Sequence, residues 1–288
     1  MSLFDQGYFK RAYEQGNYKI YNYPENFGGK CYIYFSGNGL YDPDAEQPFK
    51  DIITRDRYEW MRWKAIAPAK EIYIRDIYKC WYYKGINSTI SNVEKLKEFL
   101  KKLTDGFEGR VVTVGSSAGG YAAVLFGILL QAEKIFCFSA QFDIEQQLRN
   151  LDRINYNKNY VYATLTNLIK KSTVPIFYFY PCKSEMDITQ CQYVKNIENV
   201  TIFPIKSKLH GKAIYPNNMP RLLSLDPKEL NKFTIKFQKK KVHPFYISLY
   251  LIGLNQSFNG LLFNLMKPIY YKINDVKRLF HKYTDKNK

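Results

Sequence analysis

The 288-residue sequence predicts an α/β protein in which a mostly parallel sheet is covered by helices on both faces. Three observations predict this class. Apolar runs of strand length alternate with segments of helical period. The strand runs are continuously apolar, as expected when both faces of a sheet are buried. The hydrophobic content is 46%, which supports a substantial core in one large domain or two small ones.

Each predicted element follows from its own pattern. A helix is predicted over 91–104, where apolar residues recur with helical spacing and Ser91 is the expected N-cap. A second helix, over 119–131, is apolar on nearly every side and is therefore expected to be buried. The polar stretch 143–172 is either a helical cap over a site or a long crossover helix. The predicted strands cover 30–37, 70–76, 110–114, 134–139, 174–180 and 200–205.

Residues 111–120 read VVTVGSSAGG and join a strand to a helix through a glycine-rich turn. The turn contains the pattern G-x-S-x-G with Ser117 at its centre, which is typical of a nucleophile elbow. Gly115 and Gly119 permit the sharp bend, and the N–H of Ala118 points towards a developing oxyanion. The alternative is an ordinary strand-to-helix turn. The strand before it and the helix after it favour the nucleophile.

The second oxyanion donor is expected in the loop after the first predicted strand, which reads FSGNGL. Gly37 and Gly39 allow the backbone to turn an N–H inward, and Asn38 tolerates unusual backbone angles. We therefore predict the N–H of Gly37 or of Asn38 as that donor. The alternative is a glycine-rich turn without such a role.

A serine nucleophile needs a general base, and the chain has only three histidines. His243 and His281 lie in the basic C-terminal part. His210 alone follows a predicted strand at its carboxyl end, where open α/β sheets gather their sites. The sequence therefore predicts His210 as the base for Ser117.

The base in turn needs an orienting carboxylate, expected between Ser117 and His210 along the chain. Asp187 follows the predicted strand 174–180, and the order Ser, Asp, His is the one expected of this kind of site. Glu185 is a near rival, and Asp143 is a more distant one. Asp187 could also serve only as the N-cap of the following helix.

The net charge of +17 is concentrated in the C-terminal part. Residues 228–288 hold 13 Lys and Arg against 3 Asp and Glu, so we divide the chain into a domain, 1–227, and a basic extension, 228–288. Within the extension, 245–266 carries no charge and predicts two amphipathic helices hinged near 259–260. They lie either on the sheet domain or in the interface of an anionic membrane.

Other patterns bound the function. No helix-turn-helix, zinc-finger or RNA-binding motif is present, so nucleic acid is not the expected partner. No metal-ligand spacing or phosphate-binding loop occurs either. The five cysteines show no paired spacing and are expected to be buried thiols. With no apolar run in the first 16 residues, we expect a cytoplasmic protein, and the charges of the basic extension favour a peripheral place at the inner face of the cell membrane.

In its motifs FSGNG, GSSAGG, SEMD and LHG, residues 30–215 resemble the α/β-hydrolase superfamily. The GSSAGG turn, with Ser116 before the nucleophile, is similar to that of hydrolase-like proteins encoded with bacterial capsule and surface polysaccharide genes. Some of these are O-acetyltransferases that pass an acetyl group from acetyl-CoA to a sugar hydroxyl through an acyl-serine. The resemblance implies acetyl-CoA as donor, no bound cofactor, and a polysaccharide or lipid-linked glycan as substrate. Transferases and esterases share this triad.

The segment RDIYKCWYYKGI, 75–86, also resembles a segment of those proteins. Trp81 and Tyr82 could stack on a sugar ring, and with Ser116 they are the expected substrate contacts. The alternative is that the aromatic cluster belongs to the core.

Overall fold

A computed structural model of the chain describes residues 7–41, 46–151, 160–211 and 213–257. Its centre is a seven-stranded sheet. The strands are β1 (Tyr18–Asn22), β2 (Cys31–Phe35), β3 (Lys70–Ile74), β4 (Val111–Ser116), β5 (Lys134–Phe138), β6 (Ile176–Pro181) and β7 (Val200–Ile205). Their spatial order is β1-β3-β2-β4-β5-β6-β7, and only β1 is antiparallel to its neighbour.

Helices cover the sheet on both faces. In chain order they are α1 (Gly7–Tyr13), α2 (Glu46–Thr54), α3 (Val93–Leu103), α4 (Ala118–Leu129), α5 (Glu145–Arg149), α6 (Thr166–Lys170), α7 (Glu185–Gln192), α8 (Met219–Leu223), α9 (Pro227–Phe237) and α10 (244–257). The predicted α/β class with a mostly parallel sheet is thereby confirmed.

The six predicted strands are present, but the sequence analysis missed β1. This strand is a five-residue edge strand whose side chains are half-buried or exposed, so it lacks the continuous apolar run that marks the others. The predicted N-cap Ser91 is also wrong by one position. Asn92 is the N-cap of α3, because its backbone is extended and its side chain accepts the N–H of Lys95 at 2.8 Å.

Two apolar layers enclose the sheet, one on each face. On one face the buried α4 packs against β4, β5 and β2, and its Phe126 stacks on Phe35 of β2 with ring centroids 5.4 Å apart. On the other face Phe233 of α9 packs on Phe203 and Phe179 of the sheet. Burial of each such ring stabilises the fold by about 1.5–3 kcal/mol, because its apolar surface is removed from water.

In its described parts, 143–151 and 160–172, the stretch 143–172 forms two short helices, α5 and α6, with non-helical residues after α5 and before α6 in place of one long crossover helix. Leu148 and Leu165 are fully buried and join the core, which anchors the stretch to the sheet domain. Four of the five cysteines are buried and none is in a disulfide, as expected for buried thiols.

The first part of the predicted extension packs on the sheet domain as far as it is described. Helix α9 begins with a capping box between Asp226 and Glu229 and buries Phe233 and Phe237. Helix α10 buries Ile247 and Leu251 in the same apolar layer. The predicted hinge near 259–260 and the second helix lie outside the described residues. Among the helices that are described, none combines the length and the apolarity needed to span a bilayer.

The parallel register brings the carboxyl ends of the strands to one edge of the sheet. Phe35 at the end of β2 lies opposite Gly115 of β4, and Ser116 lies opposite Phe138 at the end of β5. Further along, Pro181 of β6 lies opposite Ile205 of β7. The loops that follow β2, β4, β6 and β7 therefore meet at this edge, where open α/β sheets place their sites.

Candidate active site

Ser117 occupies the sharp bend between β4 and α4. Its backbone has φ 55° and ψ −122°, in a region that residues with a side chain rarely adopt. Two hydrogen bonds hold the bend: the Ser117 N–H donates to the carbonyl of Phe138 at 2.9 Å, and the N–H of Tyr121 donates to the Ser117 carbonyl at 3.0 Å. The bend therefore has the conformation of a nucleophile elbow, as the sequence predicts.

The two glycines of the motif are required by close backbone approach. A Cβ at Gly115 would lie 2.0 Å from the carbonyl oxygen of Gly119. A Cβ at Gly119 would lie 2.3 Å from the carbonyl oxygen of Phe35 and 3.0 Å from the nitrogen of Gly37. Only glycine fits at either position, and the elbow consequently lies directly against the loop that follows β2.

His210 reaches the elbow from the loop after β7. Its Nε2 lies 2.8 Å from the Oγ of Ser117, so the neutral imidazole can accept the hydroxyl proton. Its Nδ1 lies 3.1 Å from each carboxylate oxygen of Asp187. The loop is fixed beside the histidine, because the N–H of Gly211 donates to the Oγ of Ser139 at 3.0 Å. Ser117, His210 and Asp187 thus form one continuous line of hydrogen bonds.

Of the predicted carboxylates, Asp187 is the one that contacts the histidine. Asp187 lies in the first turn of α7 and is only 1% exposed, while Ser184 is the N-cap residue of that helix. Glu185 begins the helix with an exposed side chain. Asp143 accepts the N–H of Glu145 instead. The buried position of Asp187 keeps its charge out of water and directed at the imidazole.

The predicted oxyanion donors differ in what their N–H groups already bind. The N–H of Gly37 donates to the Oε2 of Glu59 at 2.6 Å. The N–H groups of Ala118 and Asn38 have no acceptor among the described residues. Ala118 opens α4 directly after Ser117, and Asn38 opens the turn after β2. The oxyanion role of either residue stays a prediction: the N–H of Asn38 lacks an acceptor among the described residues, whereas that of Gly37 binds Glu59.

Glu59 is a residue of this site that the sequence analysis missed. It lies in an irregular segment 22 positions from Gly37, so no motif or periodicity points to it. Its own N–H donates to the Oγ of Ser36 at 3.2 Å, and the adjoining Trp60 ring donates to the Phe35 carbonyl at 3.2 Å. These hydrogen bonds hold the segment against the loop that carries Asn38. Burial raises the pKa of Glu59 to about 7, against the lowering effect of the Gly37 N–H.

The variant Glu59→Gln is expected to be increasingly more stable than the wild type as the pH rises. A carboxyl whose pKa is raised on folding favours the native state most when it is protonated, and this contribution is lost as the pH rises from about 4.5 through about 7. Glutamine keeps an acceptor for Gly37 without ionising. The difference in melting temperature between the variant and the wild type should therefore grow from pH 5 to pH 8. The exposed Glu198→Gln is the matched control; a flat difference for Glu59→Gln would contradict the expectation.

The three residues that the sequence predicts as substrate contacts are all buried. Tyr82 is fully buried, and its hydroxyl donates to the Ser36 carbonyl at 2.8 Å, so the prediction that it stacks on a sugar is wrong. Trp81 is 7% exposed and donates to Gln141 at 2.6 Å within the core. The aromatic cluster is therefore a core feature. Ser116, also buried, lies beside the histidine loop, since a Cβ at Gly211 would be 3.9 Å from its Oγ.

The fold and the hydrogen-bonded line together define a class: the chain has the α/β-hydrolase fold, with a serine, a histidine and an aspartate at the carboxyl edge of the sheet. Within the described residues, no cluster of three or more His, Cys, Asp or Glu side chains could hold a metal ion. Comparison with protein-family models gave no match, and neither did comparison with curated protein sequences.

Solved structures are similar in fold. The capsule O-acetyltransferase of Neisseria meningitidis serogroup A is 14% identical, with a TM-score of 0.50 over 69% of this chain and 87% of that one. A variant of that enzyme in complex with CoA is 13% identical, with a TM-score of 0.48 over 77% and 91%. An α/β hydrolase from a metagenome of lagoon sediments at Mar Chica, Morocco, is 14% identical, with a TM-score of 0.43 over 73% and 94%.

Proposed function

We propose that the protein is a serine-dependent acyltransferase that forms an acyl-serine intermediate. The observation that carries the proposal is the continuous hydrogen-bonded line from the Oγ of Ser117 through His210 to the buried Asp187. A serine hydroxyl is a weak nucleophile at neutral pH, and an adjacent imidazole oriented by a carboxylate activates it.

The proposed reaction has two steps. In the first, the Oγ of Ser117 attacks the acyl carbonyl while its proton moves to Nε2 of His210. The oxyanion accepts hydrogen bonds from the N–H groups of Ala118 and Asn38, and the imidazolium gives its proton to the departing group. In the second step, an acceptor hydroxyl gives its proton to His210 while its oxygen takes the acyl group, and His210 passes that proton to the departing Oγ, which restores the free serine. Asp187 stabilises the imidazolium in both steps.

For the substrates, we propose transfer of an acetyl group from acetyl-CoA to a hydroxyl of a bacterial surface polysaccharide. The similarity in fold to a capsule O-acetyltransferase supports this choice over other acyl groups and acceptors. Acetyl-CoA acts as a substrate here, and no bound cofactor is needed. The alternatives are an esterase, in which water replaces the acceptor hydroxyl, and a hydrolase-like protein that binds glycan without catalysis.

One experiment separates these functions. The protein is incubated with acetyl-CoA, with and without a capsular glycan, and release of CoA is followed together with acetylation of the glycan. A transferase releases CoA in step with glycan acetylation, whereas an esterase releases acetate at full rate without the acceptor. A fluorophosphonate probe, which reacts with activated serines, should label the wild type. Absence of both labelling and turnover would contradict the proposed function and favour the non-catalytic alternative.

The proposed location is the inner face of the cell membrane, and one exposed surface supports it. Helix α10 presents Tyr246, which is 62% exposed, and Leu254, which is 55% exposed, away from the core. Ile235 of α9 is 63% exposed. The lysines at 239–241, between the two helices, have no acidic partner among the described residues. Exposed apolar side chains on α9 and α10, joined by lysines without an acidic partner, match the chemistry of an anionic lipid surface.

Sedimentation with vesicles tests this surface. The protein should bind phosphatidylcholine vesicles that contain phosphatidylserine, and bind weakly to phosphatidylcholine alone. Replacing the lysines at 239–241 by glutamine should weaken binding by about 100-fold, because each lysine contributes about 1 kcal/mol near an anionic surface. Leu254→Glu should also weaken it, whereas Val161→Glu, at a position 80% exposed elsewhere, is the matched control. Equal binding to both vesicle types would contradict the proposed surface.

A further inference from the structure

A cavity of about 590 Å³ adjoins the loop that follows β2. Its lining comes mainly from residues 55–63, together with Leu40 and Lys19. Glu59 belongs to this lining and also binds the N–H of Gly37, so the cavity directly borders the loop that carries the proposed oxyanion donor. It therefore lies at the same carboxyl edge of the sheet as the serine and the histidine.

The charge of the cavity is predominantly positive. Arg55, Arg57 and Arg62 line it with exposed side chains, and their guanidinium groups have no acidic partner among the described residues. Of the two carboxylates in the lining, Asp56 is already paired with Lys19 at 2.6 Å and with Arg75 at 3.3 Å. The other, Glu59, is turned to the N–H of Gly37.

Part of the cavity lining is held in place by a buried cation. Arg75 is 1% exposed and donates to the carbonyl of Arg57 at 3.2 Å. Its guanidinium carbon lies 4.6 Å from the ring centroid of Tyr58, which forms part of the lining. The backbone that presents the free guanidinium groups is therefore fixed before any ligand binds, which lowers the entropic cost of binding.

We propose that this cavity binds a phosphate group carried by one of the two substrates of the reaction; the inference rests on the proposed acyl transfer. Guanidinium groups bind phosphate oxygens through paired N–H donors, and three unpaired ones border a single cavity. Strand β2 is hydrogen-bonded to β4, and neighbouring strands lie about 4.8 Å apart. A substrate with its phosphate in the cavity can thus extend along the sheet edge to Ser117.

Calorimetric titration with three probes tests the site. The probes are inorganic pyrophosphate, CoA and a sugar phosphate, titrated into the full chain. The wild type is expected to bind pyrophosphate, and the double variant Arg57→Glu/Arg62→Glu should bind it at least about tenfold more weakly. Lys228→Glu/Lys232→Glu makes the same change of charge on exposed positions of α9 and is the matched control. Circular dichroism establishes that each variant is folded.

The outcomes separate the phosphate site from the proposed function. Tighter binding of CoA than of sugar phosphate, lost in the arginine variant, identifies the donor as the source of the phosphate; the reverse order identifies the acceptor. Failure of the wild type to bind any probe, or equal weakening in both double variants, overturns the proposal. Fluorophosphonate labelling of Ser117 is measured in parallel. If labelling persists while the arginine variant binds like the wild type, only the phosphate site fails.

Discussion

Ser117→Ala is expected to reduce acyl transfer by about a million-fold, because loss of the nucleophile in such a triad removes nearly all of its contribution. The Oγ of Ser117 is the only described hydroxyl that lies within hydrogen-bonding distance of Nε2 of His210. Turnover of acetyl-CoA and labelling by a fluorophosphonate probe both measure the loss. The residual rate should remain above that in water, since the proposed oxyanion donors, the N–H groups of Ala118 and Asn38, are unchanged.

Ser116 provides the matched control for this change. It is the adjacent residue with the same side chain, and it lies at the end of β4 rather than in the bend. Ser116→Ala should retain the label, whereas Ser117→Ala should lose it. His210→Ala should also abolish labelling, because the probe reacts only with an activated hydroxyl. Labelling that survives in Ser117→Ala would show that the reactive group lies elsewhere.

The second large effect is expected at the carboxylate: Asp187→Asn should lower acyl transfer by about ten-thousand-fold, and Glu185→Gln by no more than a few-fold. The amide of asparagine can donate to Nδ1 of His210, which would favour the tautomer that carries its proton on Nε2. That tautomer cannot accept the proton of Ser117. Glu185 lies two residues earlier on the same helix with an exposed side chain, so its change leaves the imidazole untouched.

Measurement of kcat and KM for both variants tests this difference. The loss in Asp187→Asn should fall on kcat, because the aspartate acts on the transition state rather than on substrate binding. Since Asp187 is buried, circular dichroism and a melting curve are needed to establish that the variant is folded. A comparable loss of activity in the two variants would assign the orienting role to neither carboxylate.

The sequence was most informative where one local pattern determines both conformation and chemistry. The motif around Ser117 requires glycine at two positions of close backbone approach, so its spacing predicts the bend and the projecting hydroxyl together. His210 and Asp187 could be predicted because parallel strands bring their carboxyl ends to one edge of the sheet, and because few candidate residues follow predicted strands. The order of the strands along the chain thus predicts the contact between Ser117 and His210, which are 93 positions apart.

Other features depend on tertiary contacts that carry no local signal. Glu59 binds Gly37 from an irregular segment, and its role follows only from where that segment packs. The aromatic residues Trp81 and Tyr82 were predicted as substrate contacts from residue type, but the fold buries both. Composition identifies side chains that can stack on a sugar, whereas packing decides whether a sugar can reach them.

The distance along the chain between the nucleophile and its base has a consequence for biosynthesis. The ribosome delivers the serine early, whereas the imidazole follows the last strand, which pairs only with β6 among the other strands of the sheet. A nascent polypeptide halted before that strand can already contain the elbow, yet it lacks His210 beside the Ser117 hydroxyl. The proposed nucleophile therefore has its proposed base only once synthesis has passed β7, and fragments that end earlier lack the pair.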